Sequence, residues 1–214
     1  MAKTGPGDDE LLRAWQAGDD PAGAVLVRRH FDLVFRFFRR RVPADATDLT
    51  QRTFAACIES RDRFPETVGF RPFVLGIAHN QLLMHLRANR RRAAALGRAR
   101  RELLAEPATS LSRAAASRRQ RRLLLAALHK LPLDLQLTLE LHYWEGLSVD
   151  EIGAVLRVRP GSVKARLSRG RSRLADILAK LAVSPTEAEE TLSKFSVWAN
   201  ELRDKAYAKS DENS

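Results

Sequence analysis

The chemistry this sequence can offer is concentrated in its arginines. Residues 87–122 carry 12 basic and 2 acidic side chains, residues 155–173 carry 7 and 0, and the stretch between them, 123–154, carries 1 and 5. A guanidinium is a planar fork that meets phosphate oxygens in pairs. Two arginine-rich blocks divided by an acidic stretch therefore point to discrete contacts on a polyanion rather than to a uniformly charged, solvated face. Other chemistries find little support. There is no glycine-rich phosphate loop and no His-Glu-x-x-His pair, and His79 and His85 stand six residues apart, a spacing that does not put both on one helical face. The single cysteine, Cys57, lies beside Phe54 and Ile58, which excludes a disulfide framework and a cysteine-rich zinc site and reads as a reduced core thiol. The chain is expected not to be an enzyme and to need no metal or other cofactor.

The second basic block must be held by the elements around it. Ser148 with Glu151 three residues on makes a capping box that starts a short helix, with Ile152, Val155 and Leu156 on its apolar side. Pro160 begins another helix in which Val163, Leu167 and Leu174 can face inward while Lys164, Arg166, Arg169, Arg171 and Arg173 project outward. A short helix, a tight turn and a basic second helix form a helix-turn-helix, whose second helix fits the major groove of DNA. Upstream, Leu133 to Leu141 alternates with period two, the spacing of a strand. Its leucine, glutamine and glutamate content, with Pro132 before it and Gly146 after it, favours a helix instead.

Three further helices are legible nearer the start. From Pro21 to Val42 the positions Val27, Phe31, Val34, Phe35, Phe38 and Val42 make an apolar stripe. A helix over 44–60 follows, with Asp45 and Asp48 near its positive end and Leu49, Phe54, Cys57 and Ile58 as apolar contacts. Residues 61–71 contain Pro65 and Gly69 and read as a loop, and Pro72 opens a helix running to about Asn89. Residues 90–120 are Arg-, Ala- and Ser-rich and read as a linker that, as flexible coil, would span about 30 Å. With 214 residues, 44% hydrophobic and 29% charged, the chain has material for one large or two small cores. The expected fold class is all-α: two small helical domains joined by a basic linker, the second containing the helix-turn-helix. Neither a long apolar run nor a signal-like start is present, so the expected compartment is the cytoplasm, with no membrane insertion.

Three motifs in order resemble a known family. They are Asp45-Ala46-Thr47-Asp48-Leu49-Thr50-Gln51-Arg52-Thr53-Phe54, then Phe70-Arg71-Pro72-Phe73-Val74-Leu75-Gly76-Ile77-Ala78-His79-Asn80, then Leu131-Pro132 through Tyr143-Trp144-Glu145-Gly146-Leu147-Ser148 into Gly161-Ser162-Val163-Lys164-Ala165-Arg166-Leu167. Over residues 20–181 the chain resembles the bacterial extracytoplasmic-function sigma factors, the two-domain sigma-70 class that directs RNA polymerase to promoters. The resemblance implies core RNA polymerase and promoter DNA as partners, an anti-sigma protein as a further candidate partner, and a monomer when free.

The resemblance also implies roles for individual residues. Asp45, Asp48, Leu49, Gln51 and Phe54 would meet the clamp helices of the polymerase. Phe64, Arg71, His79, Asn80 and Arg87 would hold the melted strand of the -10 element. Lys164, Ala165, Ser168 and Arg169 would lie nearest the base edges of the -35 duplex, with Arg159, Ser162, Arg166, Arg171 and Arg173 on its phosphates. Three positions depart from the family: Arg52 stands where glutamate is usual, His79 where arginine is usual, and Phe73 where tryptophan is usual. The implied division is a tail at 1–19, domain 2 at 20–90, a linker at 91–121, domain 4 at 122–182, and an extension at 183–214. That extension is either an extra helix packed on the second domain or a regulatory segment. A DNA-binding repressor would share the helix-turn-helix without needing the first domain's motifs, and an RNA-binding protein would rest on the arginine-rich linker alone.

Overall fold

The computed structural model describes residues 6–64, 68–95, 113–195 and 197–198, and no strand occurs among them. Its helices fall into two compact units. None of the described helices is long and apolar enough to cross a membrane.

The first unit contains α1 (Asp8–Gln16), α2 (Asp20–Arg39), α3 (Ala46–Glu59) and α4 (Phe70–Ala95), with short 3₁₀ turns at Pro43–Asp45 and Arg61–Arg63. Helix α1 corrects the expectation of a tail over 1–19. Its first turn is acidic, with Asp8, Asp9 and Glu10 at the positive end of the dipole, and it buries Leu11, Leu12 and Trp15. Nine residues are too few for a helix to hold alone, so packing on α2 sustains it. Asp8 accepts from Arg29 Nη1 at 2.6 Å and lies 2.6 Å from His30 Nε2, pinning the start of α1 to the middle of α2. Gly18 then turns the chain at φ 100°, and Asp19 caps α2 by accepting from Ala22 N at 3.2 Å.

Because α1 takes one side of α2, the buried stripe of α2 is rotated from the expected one. Ala22, Leu26, His30, Leu33, Val34, Phe37 and Phe38 are buried, whereas Phe31 is 39% exposed and Val27 and Phe35 are half-buried. In α3 the buried hydroxyls of Thr50 and Thr53 each donate at 2.7 Å to the carbonyl four residues back, so they add no unsatisfied polar group to the core.

Burial pushes the Cys57 thiol up to about 12, and the side chain is fully enclosed. The thiolate is the reactive form, so native protein is expected to react with an alkylating reagent only as fast as it unfolds. Labelling of the native state at pH 8 at the rate of a free thiol would contradict this burial.

Asp8 gives a second expectation. Burial raises its pKa, but the hydrogen bonds and charges of His30 and Arg29 outweigh that and bring it down to about 2. A depressed carboxyl stabilises the native state above its unfolded value, near 3.8, and the contribution disappears as pH falls through 2. Asp8→Asn is expected to cost about 2 kcal/mol at pH 6, with the gap to wild type closing between pH 4 and pH 2 in urea melts. A gap that stays constant across that range would exclude the linkage.

The second unit contains α5 (Arg113–His129), α6 (Leu133–Tyr143), α8 (Pro160–Leu181) and α9 (Pro185–Ser193), together with the start of α7 (Val149–Leu156). Helix α8 is its spine, packed by α5, α6 and α9. The alternating leucines of α6 do form a helix. Six consecutive residues, Gln136 to Leu141, are buried, so the helix has no polar face whose spacing could reveal its period. Gln136 Nε2 donates to Glu140 Oε1 at 2.8 Å within that burial. Gly170 lets α8 approach α6, since a Cβ there would lie 3.1 Å from Leu139. Gly146, at φ 64°, ends the helix as expected.

The linker expectation over 91–121 is corrected at both ends: α4 continues to Ala95 and α5 begins at Arg113. Arginine and alanine are strong helix formers, and they extend helices that cores have already nucleated. Residues 96–112 lie outside the described residues.

Candidate nucleic-acid interface

The helix-turn-helix is built by local rules. Ser148 N donates to Glu151 Oε2 at 2.8 Å and Glu151 N to Ser148 Oγ at 3.2 Å, the reciprocal pair of a capping box. The turn passes through Arg157 at φ 55°, a left-handed conformation seldom taken by a residue with a Cβ. A Cβ on Gly153 would lie 2.9 Å from the Val158 carbonyl oxygen, so only glycine lets the turn fold back this closely. Helix α8 follows with Arg159 as its N-cap and Pro160 in its first turn.

On α8, Val163, Leu167, Gly170, Leu174 and Leu178 face the core. Arg159, Ser162, Lys164, Ala165, Ser168, Arg169, Arg171 and Arg173 are exposed, so eight of the nine residues expected to face DNA lie outward. Arg166 is the exception. It is half-buried, with Nε 3.6 Å from Asp134 Oδ2 on α6, so its charge is engaged inside the unit. Arg171 Nη1 donates to the Tyr143 hydroxyl at 3.3 Å. Tyr143 belongs to the third motif, but its link to Arg171 is not legible in the sequence, because no local spacing connects it with a residue 28 positions later.

In the first unit the expected residues divide between surface and core. Phe64 is buried, stacked on Phe70 at 6.5 Å and tilted against Phe73 at 4.4 Å. It is a core residue and not an exposed platform for a base, because three aromatic rings here satisfy one another. His79 is buried as well, Arg71 and Asn80 are half-buried, and Arg87 is exposed. Asn80, Met84, Arg87 and Arg91 recur at helical steps along α4, and Met84 is 51% exposed. The i, i+4, i+7, i+11 spacing from Asn80 was the available signal for Met84 and Arg91.

On α3, Leu49 and Phe54 are buried at 2% and 6% exposure, which corrects their assignment as surface contacts: the side of α3 that they share packs into the core. Asp48 and Gln51 remain exposed and Asp45 is half-buried. Asp48 pairs at 3.0 Å with Arg52, and Asp45 lies 3.3 Å from His85 on α4. Arg52, the residue that reverses the usual charge at its position, is thus neutralised one turn along its own helix. A groove of about 830 Å³ between α3 and α4 is lined by the acidic residues Asp45 and Asp48 and by the basic residues Arg52, Arg87, Arg90 and Arg91. Among the described residues no cluster of His, Cys, Asp and Glu is placed to hold a metal ion.

Known proteins share both units. The model of sigma-70 region 2 matches residues 26–92, and that of sigma-70 region 4 matches residues 121–174. The chain is 36% identical over 177 residues to the ECF RNA polymerase sigma factor SigE of Mycolicibacterium smegmatis, covering 81% of this chain and 65% of that protein. It therefore spans just under two thirds of that relative's length. It is 35% identical over 172 residues to the RNA polymerase sigma factor CarQ of Myxococcus xanthus, covering 79% of this chain and 97% of CarQ. Among solved structures, CnrH in complex with the cytosolic domain of CnrY superposes with a TM-score of 0.59 at 24% identity, covering 82% of this chain and 99% of CnrH. The sigma factor RpoE of Bartonella quintana, in complex with the anti-sigma factor NepR, gives 0.55 at 22% identity, covering 76% and 97%. These two likenesses concern the fold.

Proposed function

The chain belongs to the extracytoplasmic-function branch of the sigma-70 family, whose members direct promoter-specific transcription initiation with RNA polymerase, and from that premise we propose how its own residues divide the work. Residues 122–182 read the -35 element as duplex, and residues 20–90 bind core polymerase and hold the -10 element as melted strand. The observation that carries this reading is the outward face of α8. Seven basic and no acidic residues occur over 155–173, and all but Arg166 among those expected to meet DNA are exposed on or just before one helix, which follows a short helix opened by a capping box.

Arg159, Ser162, Arg171 and Arg173 meet phosphates and set register, while Lys164, Ala165, Ser168 and Arg169 lie nearest base edges and set sequence. Arg166 contributes by tying α8 to Asp134 on α6. In the first unit, Asn80 and Arg87 on α4 act on the melted strand together with Arg71. His79 and Phe64 act from beneath, by supporting the helix and the loop before it. A base that has left the stack needs a pocket and phosphate contacts, and the basic end of α4 supplies the latter. Asp45, Asp48 and Gln51 form the edge offered to polymerase, with Leu49 and Phe54 anchoring that helix behind them. The protein acts in the cytoplasm, as a monomer before joining polymerase, and an anti-sigma protein restrains it, as NepR is a partner of the Bartonella RpoE.

Run-off transcription from a randomised promoter pool with bacterial core polymerase tests this function. Transcripts that require the chain, and that share two sequence elements, are the expected result. Silence with folded protein and active core would overturn it, and binding of operator duplex without polymerase would point to a repressor.

A further inference from the structure

The extension beyond residue 183 lies outside both matched family regions, the second of which ends at residue 174. In the structure it is seated by polar bonds on α5 and by two buried rings. Ser184 Oγ accepts from Glu187 N at 3.2 Å and caps α9. Arg119 Nε on α5 donates to Glu187 Oε1 at 2.8 Å, Gln120 Nε2 donates to Glu190 Oε2 at 2.9 Å, and Lys194 Nζ donates to Gln120 Oε1 at 3.3 Å. Just past α9, Phe195 and Trp198 are only 3% and 6% exposed. The Phe195 ring lies 4.4 Å from that of Tyr143 and 5.6 Å from that of Trp144, and the Arg121 guanidinium lies 5.7 Å over Trp198.

Tyr143 joins this cluster to the basic helix, since its hydroxyl accepts from Arg171 Nη1 at 3.3 Å. With α9 in place, Ser162, Lys164, Ala165, Ser168, Arg169 and Arg173 are still exposed, so the segment does not cover the outward face of α8. A lid would bury those residues. This segment instead backs the ring whose hydroxyl holds one of the arginines.

We propose that residues 184–198 position the DNA-reading helix: Phe195 fixes the ring of Tyr143, and the Tyr143 hydroxyl holds the Arg171 guanidinium where a -35 phosphate meets it. This rests on the reading of α8 given above. An exposed arginine loses much rotamer freedom when a phosphate captures it, and a bond made before the DNA arrives removes part of that cost. Tyr143 and Phe195 are positioning residues, acting through Arg171.

The test uses holoenzyme assembled from the full chain and core polymerase, titrated with a promoter duplex recovered from the randomised pool at several salt concentrations. Tyr143→Phe keeps the ring and removes only the hydroxyl. It is expected to weaken binding about threefold to tenfold, with an unchanged melting temperature. The log-log salt slope should fall toward that of Arg171→Ala, which lacks about 0.9. In the Arg171→Ala background, Tyr143→Phe should cost nothing more. Phe195→Ala should reproduce the loss and Phe195→Leu should restore most of it. Wild-type binding by Tyr143→Phe, or additive losses in the double variant, would overturn the proposal. So would tighter binding after deletion of 184–214, the behaviour of an autoinhibitory lid. Failure of the underlying function is distinct, for then wild-type holoenzyme would select no promoter at all.

Discussion

Holoenzyme carrying Arg159→Ala, Arg171→Ala and Arg173→Ala together is expected to bind its promoter on the order of a hundredfold more weakly, since each substitution removes a charge-assisted phosphate contact. All three side chains are exposed on or beside α8, none contributes to the buried face of that helix, and the fold should survive. Three lost contacts should flatten the log-log salt dependence by about 2.7, at about 0.9 for each phosphate. The preferred -35 sequence should not move, because phosphate oxygens carry no base identity. Arg169→Ala supplies the contrast. It should relax the preference at one or two positions, with a discrimination loss of about 1–3 kcal/mol, while changing the salt slope less. Binding-site selection across a salt series reads both quantities, and a changed consensus in the triple variant would contradict its phosphate role.

The largest stability effect is expected at Gly23, a buried residue of α2 that lies against α1. The Trp15 ring lies on this residue so closely that a Cβ would be 2.4 Å from its Cδ1 and Nε1, and Trp15 is only 4% exposed. The ring is planar and has no flexible end to yield. Gly23→Leu is therefore expected to expel Trp15 from its place, at a cost of about 3–5 kcal/mol. The loss should appear in urea unfolding of the full chain together with a red shift of tryptophan emission. Trp15→Ala alone removes the same burial, so adding it to Gly23→Leu should cost little more, and the two changes should be far from additive. Full additivity would mean that α1 does not pack as the structure has it.

Both variants bear on how far this protein can be read from its chain. The two helices of the helix-turn-helix were legible because their determinants are local, whereas the turn residues Gly153 and Arg157 were not. Ser148 and Glu151 are three residues apart, Pro160 can only begin a helix, and the inward Val163, Leu167 and Leu174 keep helical spacing. The helical character of α6 was legible from composition and from the flanking Pro132 and Gly146, against its period. In the 183–214 extension, Leu192, Phe195, Ala199, Leu202 and Ala206 recur at helical steps with Trp198 on the apolar side; α9 ends at Ser193, Phe195 and Trp198 are buried just beyond it, and Ala199, Leu202 and Ala206 lie outside the described residues.

Helix α1 was missed although its signals were present. Asp8, Asp9 and Glu10 precede Leu11, Leu12 and Trp15 at helical steps, but nine residues are marginal until a partner covers them. The partner is Gly23, and nothing in the local sequence says that a tryptophan eight positions earlier needs that glycine.

The sequence by itself determined the class of partner, the two helical units and the identity of the basic helix, because charge blocks, caps and helix breakers act over a few residues. Tertiary structure alone decided which members of each set reach the surface. Phe64, Leu49 and Phe54 went to the core because neighbouring helices and rings cover them more fully than water would. Arg166 turned inward because Asp134, thirty-two positions earlier, lies beside it across α6 and α8. Arg171 acquired Tyr143 as a hydrogen-bond partner because α6 packs along α8. Burial and pairing between distant residues depend on how helices are placed against one another, and that placement is a property of the whole packed unit that no window of sequence contains.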